Sequence, residues 1–216
     1  MFATLAKVIP LDLTATISPV LFGLVIYLLS KKDRSKASAL AVLLGALLVG
    51  TGITIAGFYI GNIPATTPKH ALITSVVDLV LGVLFIIYGF KKLLVSKPAK
   101  TEHKNRGGSL LKWFFAGVLI SIANDSFFLI FASAKEVGAS GFGSWGKLIF
   151  LIINVFFFTL PVTLPIFIVT IIPKLADRIL AKINRFLANY GDFIIFVLFM
   201  VFGIYFAVKG LSFLIK

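Results

Sequence analysis

Cysteine does not occur in the 216 residues, which excludes disulfides, thiol relays and thiolate metal sites together. Acidic residues are scarce, 8 against 21 Lys and Arg, and only 13% of the chain is charged. With 59% hydrophobic residues and a mean hydropathy of +1.07, no water-facing surface can be covered with what is left. Histidine is limited to His70 and His103; both fall in predicted loops, so neither has a second ligand of its kind beside it. No nucleophile, base and orienting group assemble into a catalytic set, and no Walker pattern surrounds Gly107 and Gly108. Neither an enzyme nor a cofactor is expected.

What is present is apolar sequence in long runs without the alternation of a membrane strand, so the chain reads as an all-α integral membrane protein. Six transmembrane helices are expected at about 3–29, 38–60, 71–95, 113–134, 147–172 and 191–215, each able to cross a ~30 Å hydrocarbon core. The first is too long, and has too little charge before it, for a cleaved signal peptide. Of the 21 basic residues, 15 fall in three loops on one side, among them Lys31, Lys32, Arg34 and Lys36, then Lys91 to Lys112, then Lys174 to Arg185. The positive-inside rule puts those loops in the cytoplasm and both termini outside. The net charge of +13 is therefore mostly topology, and nucleic acid is not an expected partner.

Three helices followed by three helices require any internal repeat to be inverted. Residues 78–89, "DLVLGVLFIIYG", and 192–203, "DFIIFVLFMVFG", share five identities in twelve at a fixed offset of 114, including Asp78 with Asp192 and Gly89 with Gly203. The chain divides into a first three-helix repeat (1–95), a basic cytoplasmic linker (96–112) and a second repeat (113–216). Inverted repeats with broken helices at mid-depth are a recurrent transporter build.

Two breaks are expected. Pro19 has no N–H and disfavours helical geometry at Ser18, so the first span should kink or unwind there. In the fourth, Asn124, Asp125 and Ser126 lie at the matching depth. A carboxylate at mid-bilayer costs a few kcal/mol and calls for a cavity, a cation or a proton. No Lys or Arg is expected deep enough to pair with Asp125, which points to a proton, metal ion or cationic substrate as its partner. Asp78 should line a path from outside, whereas Asp12 and Asp192, near span ends, should be solvated at the interface. Pro161 and Pro165, one turn apart with Thr159 and Thr163 between them, would let the fifth span bend as a gate. The second span carries Gly45, Gly50, Gly52, Gly57 and Gly61 instead, which suits close helix approach. Residues 174–190 place Leu175, Ile179, Leu180, Ile183 and Leu187 on one helical face with basic residues opposite, the pattern of an amphipathic interfacial helix held by anionic headgroups.

Six spans in two inverted triplets, "SPV" at 18–20, "NDSFFLIF" at 124–131 and a basic amphipathic segment before the last span resemble the lysine-exporter (LysE) superfamily. The likeness is greatest to its glycolipid-addressing (GAP) branch. Amino-acid exporters of that superfamily carry Pro-Gly-Pro in the first span and Asn-Pro-Lys in the fourth. This chain keeps only Pro19 and Asn124 of these and has Asp125-Ser126 where Pro-Lys would stand, a local charge reversal that favours a cationic substrate or metal ion. The superfamily's thiol-electron carriers are excluded by the missing cysteines.

Together these readings imply a secondary transporter of a prokaryotic cytoplasmic membrane that exports a small solute or metal ion by proton or cation exchange. Ser18, Pro19, Asn124, Asp125 and Ser126 would form its site. The resemblance adds a lipid or lipid-conjugate translocator as an alternative, and a membrane scaffold or complex subunit is the third option. Membrane lipids, their anionic headgroups and a small-molecule or ion substrate are the expected partners, with a homodimer left open.

Overall fold

The computed structural model describes residues 2–30, 35–63, 68–94 and 109–215. Lys31, Lys32 and Arg34 of the first basic loop, His103 and most of the linker lie outside the described residues. Among the described residues the secondary structure is entirely helical: α1 (Phe2–Ala15), α2 (Pro19–Leu29), α3 (Ser35–Gly61), α4 (Pro68–Leu94), α5 (Leu110–Ala123), α6 (Ser126–Gly138), α7 (Ser144–Ile171) and α8 (Pro173–Leu214). Helices α3, α4, α7 and α8 are each long and apolar enough to cross a membrane. The pairs α1–α2 and α5–α6, bent by 42° and 68°, raise the number of candidate spans to six if each pair is one span.

Both bends fall at the expected residues. Ser18 is driven out of helical geometry (φ −126°, ψ 86°) ahead of Pro19, which opens α2 as its first residue. Thr16 and Ile17 close α1 by donating their N–H groups to Leu13 O (3.2 Å) and Thr14 O (2.9 Å). In the second bend Asn124 is extended (φ −83°, ψ 142°), and the helix restarts with Phe127 N–H bonded to Asn124 O at 3.0 Å.

Packing around α6 defines the core. Residues 132–138 are buried without exception, enclosed by α1, α3 and α7, with α4 and α8 bonded to its last turn. Helix α3 reaches α5 and α6 through its glycines. A Cβ at Gly57 would stand 2.5 Å from Phe131 O, and one at Gly61 would collide with the Lys135 carbonyl. Close backbone approach, the expected use of these glycines, holds for Gly45, Gly57 and Gly61, whereas Gly52 faces open space. Helices α4 and α8 run antiparallel along each other, Gly82 meeting Ala207 and Gly210 meeting Leu79. Their outer faces carry exposed apolar ridges at helical spacing, Ile73, Val76, Val80, Val83, Ile87 and Phe90 on α4, as a lipid-facing surface requires.

Segment 174–190 is not a separate helix. It is the first part of α8, which runs unbroken for 42 residues, about 63 Å at 1.5 Å per residue. No proline follows Pro173 in it, so nothing stops the helix between the segment and the last span. Ala176 and Leu180 are buried against Phe22 and Ile168, with Ile179, Ile183 and Leu187 packed beside them. Most of the apolar face assigned to lipid thus packs on α2 and α7, because amphipathic spacing is the same for a lipid and a protein partner.

Candidate functional site

A polar column follows α6 through the apolar interior. At its lower end the two helix breaks touch. Asn124 Nδ2 donates to Ser18 Oγ at 2.7 Å, Asn124 Oδ1 receives Ser126 N–H at 3.4 Å, and Ser126 Oγ donates to Ala15 O at 2.7 Å. The Ala15 carbonyl, freed where α1 ends, is satisfied by a side chain of the other break.

About two turns along α6 lies a second group. Asn154 of α7 donates from Nδ2 to Asp12 Oδ1 of α1 (3.3 Å) and to Ser133 Oγ of α6 (3.0 Å). Asp12 is 1% exposed and Asn154 fully buried, and Asn154 Oδ1 has no hydrogen-bond partner among the described residues.

The third group closes the column toward the face where the two ends of the chain meet. Lys135 Nζ donates to Asp78 Oδ1 at 2.5 Å, and Lys209 Nζ lies 3.4 Å from Asp78 Oδ2. Glu136 accepts from Lys209 at 2.6 Å and from Lys7 at 3.1 Å. Lys7 also lies over the Tyr205 ring, 4.8 Å from its centroid. Asp78, Lys135 and Glu136 are 3%, 3% and 6% exposed. Buried charges survive only with such partners, and removal of a carboxylate leaves buried ammonium charge short of a partner. Three ammonium and two carboxylate groups leave one formal positive charge in excess.

The structure therefore brings Ser18, Asn124 and Ser126 together, with Pro19 starting the helix beside them. Asp125 is half-buried at the first residues of α6 and is not among the deeply buried carboxylates. Asp78 is a buried ion-pair partner, and Asp12 is not at a solvated interface but inside the bundle. Lys135 is a buried cation, and its carboxylate partner is Asp78. The 68° bend after α5 turns α6 inward, so residues 135–138, which a straight span would carry to the membrane edge, end in the core. Pro161 and Pro165 are buried within α7, which stays one helix, and Thr159 and Thr163 hydroxyls donate to Val155 O and Thr159 O one turn back.

Sequence reasoning missed two groups, Asp12 with Ser133 and Asn154, and Lys135 and Glu136 with Lys209. A signal existed for Asn154, an amide within the apolar run "FLIINVFF", and for Lys209, an ammonium inside the last predicted span. Among the described residues no three His, Cys, Asp or Glu side chains stand close enough to hold a metal ion.

A family model described as Sap, sulfolipid-1-addressing protein, matches residues 8–212. No curated protein and no solved structure gives a match.

Proposed function

The chain belongs to the Sap, sulfolipid-1-addressing protein family, and from that premise we propose that it translocates a lipid conjugate across a prokaryotic cytoplasmic membrane. The polar headgroup would pass along the α6 column while the acyl chains stay in the bilayer. The observation that carries this reading is the column itself: three successive layers of polar side chains along α6 in a bundle whose outer ridges are apolar. Its excess formal positive charge suits an anionic headgroup, a sulfate or phosphate ester on a sugar. A groove of about 310 Å³ between α2 and α8, lined by Ile26, Ser30, Asp177 and Asn184 among others, offers an entrance beside the basic residues of α8. The ion pairs from α6 to α1, α4 and α8 seal the opposite end, and a headgroup passes when it exchanges with Asp78 or Glu136 for the lysines.

The reading includes six crossings in two inverted triplets with both termini outside, the build of the LysE superfamily. The sharing of Glu136 by Lys7, near the start of α1, and Lys209, near the end of α8, supports the termini lying on one face. At the offset of 114, Gly89 faces Phe196 and Met200, and Gly203 faces their counterparts Gly82 and Ile86. Phe85 stacks on its own counterpart Phe199 with centroids 5.0 Å apart. Such exchanged neighbours are what a two-fold axis between α4 and α8 produces.

A second reading, coupled export of a small solute, is favoured by Asp12, a buried carboxyl in no ion pair among the described residues. The test is reconstitution of the full chain in vesicles with a headgroup-labelled sulfated glycolipid, its leaflet read by an impermeant quencher. Protein-dependent exchange of the lipid between leaflets is expected, lost in Lys135→Met. Exchange at the protein-free rate, with flux of an entrapped solute instead, would transfer the assignment to the second reading.

A further inference from the structure

Asp12 has a role that neither helix break supplies. Its carboxyl is buried where α1, α6 and α7 meet and accepts from Asn154 Nδ2, which also reaches Ser133 Oγ, and the Ser133 hydroxyl is a second hydrogen-bonding neighbour of the carboxyl. The same amide holds Oδ1 buried and without a hydrogen-bond partner among the described residues. A carboxylate with no ion-pair partner among the described residues and an unsatisfied carbonyl acceptor, each unfavourable in a low-dielectric interior, thus share one junction. A single proton removes the uncompensated charge. An ionised carboxyl accepts from Nδ2, as observed; a protonated one needs an acceptor for its O–H, and a half-turn of the Asn154 amide presents Oδ1 to it.

The charged and titratable groups around this junction are committed elsewhere. On α1, Lys7 is five residues away, about 7.5 Å along the helix, and is bonded to Glu136. On α6, Lys135 and Glu136 are held by Asp78 and by Lys209 with Lys7. On α8, Lys209 and Tyr205 belong to that same cluster, and on α7, Lys147 is bonded to Asn62 and to the Gly138 carbonyl. None forms an ion pair with Asp12.

We infer that Asp12, Asn154 and Ser133 form a proton-binding site at the centre of the bundle, and that translocation is driven by the proton it carries. The step is an acid–base equilibrium: an O–H bond forms at one carboxyl oxygen of Asp12 with a proton from water at one face, and the same bond breaks to return it at the other. The Asn154 amide turns with each change and so registers the state of Asp12 on α7, the helix that also packs against α2 at the entrance groove. Asp12 is a separate element from the headgroup route; its use as a driving site rests on the translocation reading, whereas the binding of a proton does not.

The test is infrared difference spectroscopy of the purified full chain in lipid across a pH titration, with Asp12→Asn, Asn154→Leu and Asp78→Asn beside the wild type. The expected result is a protonated-carboxyl band in the wild type and in Asp78→Asn that is lost in Asp12→Asn. In Asn154→Leu, where the O–H has no amide acceptor, the band should shift in frequency, which keeps the inference testable should Asp12→Asn not fold. A band that persists in Asp12→Asn, one unmoved in Asn154→Leu, or one that sodium abolishes at constant pH would overturn the proton site. With the band in place, leaflet exchange indifferent to an imposed pH gradient overturns the driving role. Absence of exchange under every gradient, with the band present, counts against the translocation reading and leaves the proton site standing.

Discussion

Removing one charge at a time from the Asp78–Lys135 pair should produce an unequal response, and the geometry sets its order. In Lys135→Met the apolar stem is kept and the ammonium removed. Asp78 then retains Lys209, 3.4 Å from its second oxygen, and the cluster becomes formally neutral. In Asp78→Asn the shape is conserved, but the Lys135 ammonium, 3% exposed, loses its carboxylate while three ammonium groups share Glu136 alone. Breaking a buried pair costs about 3–5 kcal/mol; Lys135→Met should fall near 3 and Asp78→Asn near 5 on that scale. With both groups replaced no charge is stranded by the pair, so Asp78→Asn/Lys135→Met should be more stable than Asp78→Asn alone, which requires a coupling larger than the ~3 kcal/mol loss of Lys135→Met. Partners available to unfolded helices in a micelle shrink all three values, which makes the order the decisive quantity. Equilibrium unfolding in mixed micelles, followed by near-ultraviolet circular dichroism, measures it. A double variant losing the sum of the single losses, about 8 kcal/mol, would show the two side chains to be energetically independent and would refute the reasoning.

Four further substitutions probe the packing that positions the column. Gly61→Ala places a methyl group on the Lys135 carbonyl and should destabilise by about 1–3 kcal/mol, whereas Gly52→Ala meets nothing within 4 Å and should leave stability unchanged or raise it by up to about 1 kcal/mol; parallel thermal unfolding separates them. Asn124→Ala removes the bond that links the two breaks and should cost about 1 kcal/mol, with a spin-label pair on α2 and α5 reporting a wider distance distribution. Leu180→Ala empties a buried contact with Phe22 and Ile168, costing about 2–5 kcal/mol; limited proteolysis should then cut first near residue 180, and unchanged resistance would contradict that packing.

Most of the helical framework is legible in the sequence, because bilayer thickness turns hydropathy directly into element length. Both breaks are legible for a local reason: Pro19 removes a backbone donor, and Asn124-Asp125 interrupts an apolar run. That Asn124 and Ser18 touch follows from placing the two breaks at equal depth. The charge cluster was hidden because its members, Lys7, Asp78, Lys135, Glu136 and Lys209, stand near the expected ends of four different helices. A charge at a span end reads as solvated unless the bend that carries it inward is known. The 68° bend between α5 and α6 is a property of the folded bundle, fixed partly by contacts 106 residues apart such as Asn124 with Ser18, and no window of sequence contains it. Likewise the apolar stripe of 174–190 gives the correct buried face without naming its partner.

The headgroup route along α6 is tested most directly by photocrosslinking. A sulfated glycolipid with a photoreactive group on its sugar would be reconstituted with the wild-type chain and irradiated during translocation, and the labelled residues mapped by mass spectrometry. Label on α6 between Ser126 and Glu136, and on the facing segments of α1 and α7, is the predicted result. Label confined to the exposed ridges of α4 and α8, with none on α6, would contradict passage through the column.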